Sequence, residues 1–226
     1  MTRLEPIQQP CAHCGTLWTG VALLSTNGTG SDLDTRPVGM ARETLTYQVR
    51  RCSACGYCAQ DLSQAPSPVA QHRLSEPDYV AQLNDPAYPR LANSFLCQAL
   101  LYQSDARPGA IFTALLSAAW ACDDAKADEA ARQCRNRAST LLAQQDLPDA
   151  EFFPVPARDV AGQRDLLLSD LLRRAARFLE AQSVAERGLA SAQHAMIRRL
   201  LRFEQQLIAV GEMGARHITD TPSIDA

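Results

Sequence analysis

Two short motifs, Cys11-Ala12-His13-Cys14-Gly15 and Cys52-Ser53-Ala54-Cys55-Gly56, constrain this chain more than any other feature. Each is a C-x-x-C followed by glycine, and 37 residues lie between Cys14 and Cys52. A two-residue gap lets a tight turn aim both sulfurs at one metal ion, at about 2.3 Å for zinc. The glycine supplies a positive φ that folds the backbone beneath the ion and turns N–H groups toward the sulfurs. Two such pairs predict one tetrahedral site of four thiolates. The expected occupant is a single structural zinc ion on Cys11, Cys14, Cys52 and Cys55. His13 lies between two ligands, where a side chain points outward rather than at the metal.

The 226 residues give room for one large domain or two small ones, and 46% apolar content is ample for a core. No stretch approaches the roughly 18 uninterrupted apolar residues of a membrane span. The opening ten residues lack the apolar region of an export signal, so a cytoplasmic location is expected. In a reducing compartment eight cysteines serve metal or stay as buried thiols, not as disulfides. A net charge of −3 gives no general electrostatic case for nucleic acid.

The chain changes character near residue 60. Before it lie glycine, threonine and short alternating runs. Within Arg42 to Arg50, Leu45, Tyr47 and Val49 would share one face of a strand leading into the second motif. Thr16 to Leu24 is its expected partner, which completes the plan of a zinc ribbon over residues 1–60. Residues 61–88, with Pro66, Pro68 and Pro77, read as a linker or docking segment. Helical periodicity then runs through 89–213, starting near Pro89 and Pro108, with a proline-broken loop at 147–156 that Phe152 and Phe153 pin to the core. Residues 214–226 read as a flexible tail. The fold class expected is α+β, mostly α: a small ribbon followed by an antiparallel helical array. Ala176, Ala181, Ala185 and Gly188, with Phe178 among them, have the spacing of small and aromatic positions in a tetratricopeptide unit.

Further residues carry a resemblance. Ser31-Asp32-Leu33-Asp34-Thr35-Arg36-Pro37 follows the first motif, and Tyr47-Gln48-Val49-Arg50-Arg51 enters the second, which continues to Tyr57. Ala118-Ala119-Trp120-Ala121-Cys122-Asp123-Asp124 and Asp170-Leu171-Leu172-Arg173-Arg174 come later. In this order the chain resembles a family of uncharacterised bacterial proteins with an N-terminal zinc ribbon and a C-terminal tetratricopeptide-like region. The resemblance implies zinc on the same four cysteines and no established activity.

Cys58 forms a second C-x-x-C with Cys55. A packed thiol is the expected role, with a spare ligand or a redox switch as alternatives. Asp32, Asp34 and Arg36 are expected to brace the ribbon through ion pairs, the alternative being contact with a ligand. Arg173, Arg174 and Arg177, with Arg198, Arg199 and Arg202, suggest a basic stripe that Glu180, Glu186 and Glu204 interrupt, as on a solvated helix face. Cys97, Cys122 and Cys134 read as core, and His72, His194 and His217 as surface or capping residues. No nucleophile, phosphate-loop or dinucleotide motif is present, and four protein thiolates leave no open metal position, so the expected protein is not an enzyme. The reading is a zinc-binding adaptor whose helices bind an unidentified protein or peptide, with no membrane partner. A nucleic-acid-binding ribbon using Arg42, Arg50, Arg51, Tyr47 and Trp18, or a redox-sensing zinc thiolate, are the alternatives.

Overall fold

The computed structural model describes residues 1–144 and 159–222. The chain is α+β and mostly α. Strands β1 (Arg3–Pro10), β2 (Leu17–Ser25), β3 (Arg50–Arg51) and β4 (Cys58–Ala59) precede helices α1 (Pro68–Arg73), α2 (Pro77–Leu83), α3 (Arg90–Ser104), α4 (Pro108–Asp124), α5 (Asp128–Gln144), α6 (Val160–Arg174), α7 (Phe178–Ser191) and α8 (Ala195–Ala209). Two compact units result, one of residues 1–28 and 39–134, the other of 29–38 and 135–226, so the division falls elsewhere than at residue 60.

In the first unit each C-x-x-C sits at the tip of an antiparallel hairpin, β1–β2 for one and β3–β4 for the other. This corrects the expected pairing. The partner of β2 is β1, running from Arg3 opposite Ser25 to Pro10 opposite Leu17. Pro6 and Pro10 disguise β1 in the sequence, because proline is tolerated only on an edge strand. Residues Gly39–Tyr47 form a 3-10 helix instead of the expected strand. Its buried positions are Ala41, Thr44 and Leu45, a helical spacing, and the Thr44 hydroxyl donates to the Ala41 carbonyl at 2.7 Å. Counting Thr44 as an outward polar residue produced the false alternation.

The stretch read as a linker carries α1 and α2. Both begin with proline in the first turn, and Ser67 caps α1 by accepting the Ala70 N–H. These helices pack on α3, which also pairs with α4 and touches β4. Tyr79, Leu96 and Phe112, all fully buried, anchor that core.

The second unit packs α6, α7 and α8 together. Ala181, Ala185 and Gly188 are buried, as their spacing predicted. A side chain at Gly188 would stand 2.9 Å from Asp165 Cβ and 3.0 Å from Leu201, so α7 approaches both neighbours closely there. Four helices end in the same motif: the N–H groups of Ala106, Lys126, Ala176 and Gly211, each at positive φ, bond the carbonyl three residues back, and the next N–H reaches five back. The described tail residues, 214–222, are structured rather than frayed. His217 caps a short 3-10 turn, and Arg199 donates to the Thr221 and Pro222 carbonyls. The expected loop at 147–156, with Phe152 and Phe153, lies outside the described residues.

Candidate metal centre

The two C-x-x-C turns repeat each other bond for bond. Gly15 N–H donates to Cys11 O at 2.7 Å, and Gly56 N–H to Cys52 O at 3.0 Å. Cys11 N–H and Cys52 N–H donate to Thr16 O and Tyr57 O, both at 2.9 Å. Gly15 and Gly56 have φ of +75° and +76°, the conformation the motif requires of them. Gly56 is constrained twice, because a Cβ there would lie 2.4 Å from Leu83 of α2. Tyr79 Oη and Cys58 Sγ both donate to the Gly56 carbonyl, at 3.0 and 3.3 Å. The second knuckle is thereby bolted to α2.

This geometry brings the four predicted cysteines together. All four sulfurs lie within 4.8 Å of one another, with Cys11 and Cys55 3.7 Å apart and Cys14 and Cys52 3.6 Å apart. Thiolates about 2.3 Å from a zinc ion at tetrahedral corners stand about 3.8 Å apart, so the sulfurs fit one ion of that size. Each close pair joins one knuckle to the other. A metal would therefore close the chain across the intervening segment. Hydrogen bonding with Thr16 lowers the exposed Cys14 thiol to about 6, whereas burial raises Cys11 and Cys55. Metal uptake at neutral pH would displace protons from Cys11 and Cys55.

Cys58 lies outside this cluster. It is fully buried, and nearby the Cys97 thiol of α3, also buried, donates to the Tyr79 carbonyl at 3.8 Å. His13 Nδ1 is buried without a partner and is not among the clustered ligands. Two of the arginines considered for nucleic acid are engaged within the unit. Arg50 lies over the Trp18 ring at 5.4 Å and 3.7 Å from Asp61, and Arg51 donates to the Leu83 carbonyl at 2.9 Å.

The acidic segment takes part in a different site. Residues 29–38 belong to the second unit and fold into a small hairpin, with Thr35 at positive φ and the Asp34 carboxylate accepting the Arg36 N–H at 3.2 Å. The other Asp34 oxygen accepts from Arg135 of α5 at 3.5 Å and from Arg174 of α6. Asp32, Asp34, Arg36, Arg135 and Arg174 are all buried. The expected bracing by Asp34 is thus directed to helical arginines. The solvated basic stripe is corrected at Arg173, Arg174 and Glu204, which are buried, Arg173 and Glu204 pairing at 2.9 Å; Arg198, Arg202, Glu180 and Glu186 are exposed as expected. Arg177 does pair with Glu180 near the surface, and His194 and His217 are caps. Sequence reading missed Arg135 and the Arg173–Glu204 pair. Their signal was an arginine and a glutamate at the apolar phase of their helices.

Among the described residues no helix is long and apolar enough to cross a membrane. Comparisons with protein-family models, with curated proteins and with solved structures found no match to this chain.

Proposed function

We propose that this protein is a non-enzymatic adaptor: a structural zinc ion on Cys11, Cys14, Cys52 and Cys55 holds the two knuckles, and the helical region binds a protein or peptide. The observation that carries the reading is the set of four sulfurs within 4.8 Å of one another, with both cross-knuckle pairs at 3.6–3.7 Å. Four thiolates fill the coordination sphere and leave no position for water or substrate. Zinc supplies what two short hairpins cannot, since isolated two-stranded sheets are marginal in water. The tetratricopeptide-like resemblance is supported by the paired helices and by the small residues on α7.

The second unit also carries a groove of about 850 Å³ that Ser139, Val160, Leu168, Leu172, Val184 and Arg187 help to line. Its apolar floor and paired charges suit a peptide better than a small metabolite. Metal analysis and thiol counting on one sample test the first half of the proposal. One zinc per chain, with four thiols protected until a chelator is added, is expected. A metal-free chain with a Cys55–Cys58 disulfide would overturn it. For the second half, peptides selected from a random library should lose binding when Val160→Glu and Ser183→Trp, both at residues lining the groove, fill it; undiminished binding would remove the groove from the proposal.

A further inference from the structure

The second unit buries a charged cluster that the metal centre does not use. Arg173 of α6 donates from Nη2 to Asp170 Oδ1 at 2.5 Å and from Nε to Glu204 Oε2 of α8 at 2.9 Å. Its Nη1 donates to the carbonyls of Glu212 at 2.6 Å and Gly214 at 3.1 Å, just beyond α8. One guanidinium therefore faces two carboxyl groups, both essentially inaccessible to water. The second oxygen of each, Asp170 Oδ2 and Glu204 Oε1, is buried without a hydrogen-bond partner. Arg173 holds the two carboxyl groups through Nη2 and Nε, nitrogens bonded to the same guanidinium carbon.

Two ionised carboxylates against one cation leave a net buried charge and two unsatisfied acceptors, each a substantial cost in a dry site. A single proton between them removes both costs, as in other carboxyl pairs that share a site. Among the other charged groups on the elements packed against Glu204, Arg198 and Arg202 of α8 are exposed, Arg164 of α6 donates to the Leu142 and Ala143 carbonyls, and the rest are held as follows. On α7, Glu180 holds Arg177, Glu186 accepts from Gln182, and Arg187 holds Asp165 of α6. Arg174 of α6 and Arg135 of α5 hold Asp34 of the 29–38 hairpin, where Asp32 and Arg36 are also buried. On α8, Arg199 donates to tail carbonyls, and beyond α8 Glu212 pairs with Arg216.

We propose that Asp170 and Glu204 share one proton at neutral pH, carried on Glu204 Oε1 and donated to Asp170 Oδ2, and that it makes the second unit's stability dependent on pH. Burial and the neighbouring Asp170 carboxylate push the Glu204 carboxyl up to about 8. The folded unit then keeps a proton that the unfolded chain releases near the ordinary glutamate value. The stabilisation is fully present below about pH 4.5 and is lost as pH rises through about 8. Within that window one proton changes the opening equilibrium by up to about tenfold per pH unit. The effect extends along the chain. The segment gripped by Arg173 accepts the Leu33 N–H at the Arg216 carbonyl and bridges His217 to Asp32, so the hairpin bearing Asp34 loosens with it.

Hydrogen exchange of the full chain, resolved to α6 and α8 and corrected for intrinsic rates, tests this between about pH 5 and pH 9. Compared with Glu204→Gln, whose amide supplies the same donor, wild type should lose protection as pH rises and be the less protected form at about pH 8. A Glu204→Gln variant less protected than wild type at that pH would overturn the proposal, since a charged Glu204 would then be what the site needs. Infrared spectra of wild type at neutral pH give a second readout that needs no variant to fold. They should show the carbonyl stretch of a protonated buried carboxyl, and its absence overturns the sharing outright.

Discussion

The two knuckles and the Asp34 site both fasten short loop segments, one through four sulfurs, the other through one carboxylate and two guanidinium groups. The knuckles do so with residues three apart in sequence, held by a turn whose glycine is compulsory at +75° and +76°. The Asp34 site draws on partners 101 and 140 residues away. Each knuckle of the first is a local arrangement; the second exists only once the helices have packed. The contrast teaches that two fastening devices can be equally specific while differing entirely in what must form first.

The largest effect expected is at the metal centre. Cys52→Ser removes one of four ligands, and metal binding at such sites is worth on the order of 10 kcal/mol of folding free energy. The variant should carry no zinc, and β3, β4 and α2 should lose hydrogen-exchange protection together, because Gly56 joins the knuckle to Tyr79 and Leu83. Retained zinc with full protection in α2 would mean that the ion is not what holds that region.

Asp34→Ala comes next. It leaves Arg135 and Arg174 buried without the carboxylate between them, and breaking a buried pair by removing one partner costs about 3–5 kcal/mol. The loss should appear in α6 and in residues 29–38, with zinc content unchanged. A variant that lost its zinc as well would show that the two fastenings are not independent, and the comparison would fail.

How much of this could be read beforehand follows the same division. The meeting of the four cysteines was legible because spacing and glycine alone define a knuckle. Helices α3, α4, α6, α7 and α8 were legible from their apolar periodicity and prolines. Strand β1 was not, since its two prolines argue against a strand until β2 is seen beside it. The 3-10 helix was lost because Thr44 is polar by type and buried in fact. In the sequence Arg173, Arg174 and Glu204 read as surface residues, because long charged residues are rarely buried. Only the partner supplied by another element reverses that expectation, and no periodicity in one segment records it.

A smaller effect probes the first hairpin. Gly20 lies beneath the Trp18 ring, and a Cβ there would stand 2.1 Å from ring atom Cη2. Gly20→Ala must push the indole away from Arg50, at a cost of about 1–3 kcal/mol typical of overpacking. Tryptophan fluorescence should red-shift as the ring becomes more exposed. An unshifted spectrum at unchanged stability would mean that the hairpin, unlike the knuckle below it, has room to adjust.

The smallest effect separates local from assembled stability most cleanly. Ala106, Lys126 and Ala176 hold φ of +51°, +57° and +62° at helix ends where Gly211 does the same at +67°. A side chain in that conformation costs about 1 kcal/mol, and glycine returns part of the gain through a freer unfolded chain. Each substitution to glycine should therefore stabilise by about 0.5 kcal/mol, read as a small rise in urea midpoint. The motif is purely local, so the three gains should be alike whichever unit holds the turn, and they should add, the sites sharing no partners. A gain at Lys126 but a loss at Ala176 would show that the α6–α7 turn relies on the alanine methyl for packing. In that case even this most local of fastenings would depend on the assembled helices.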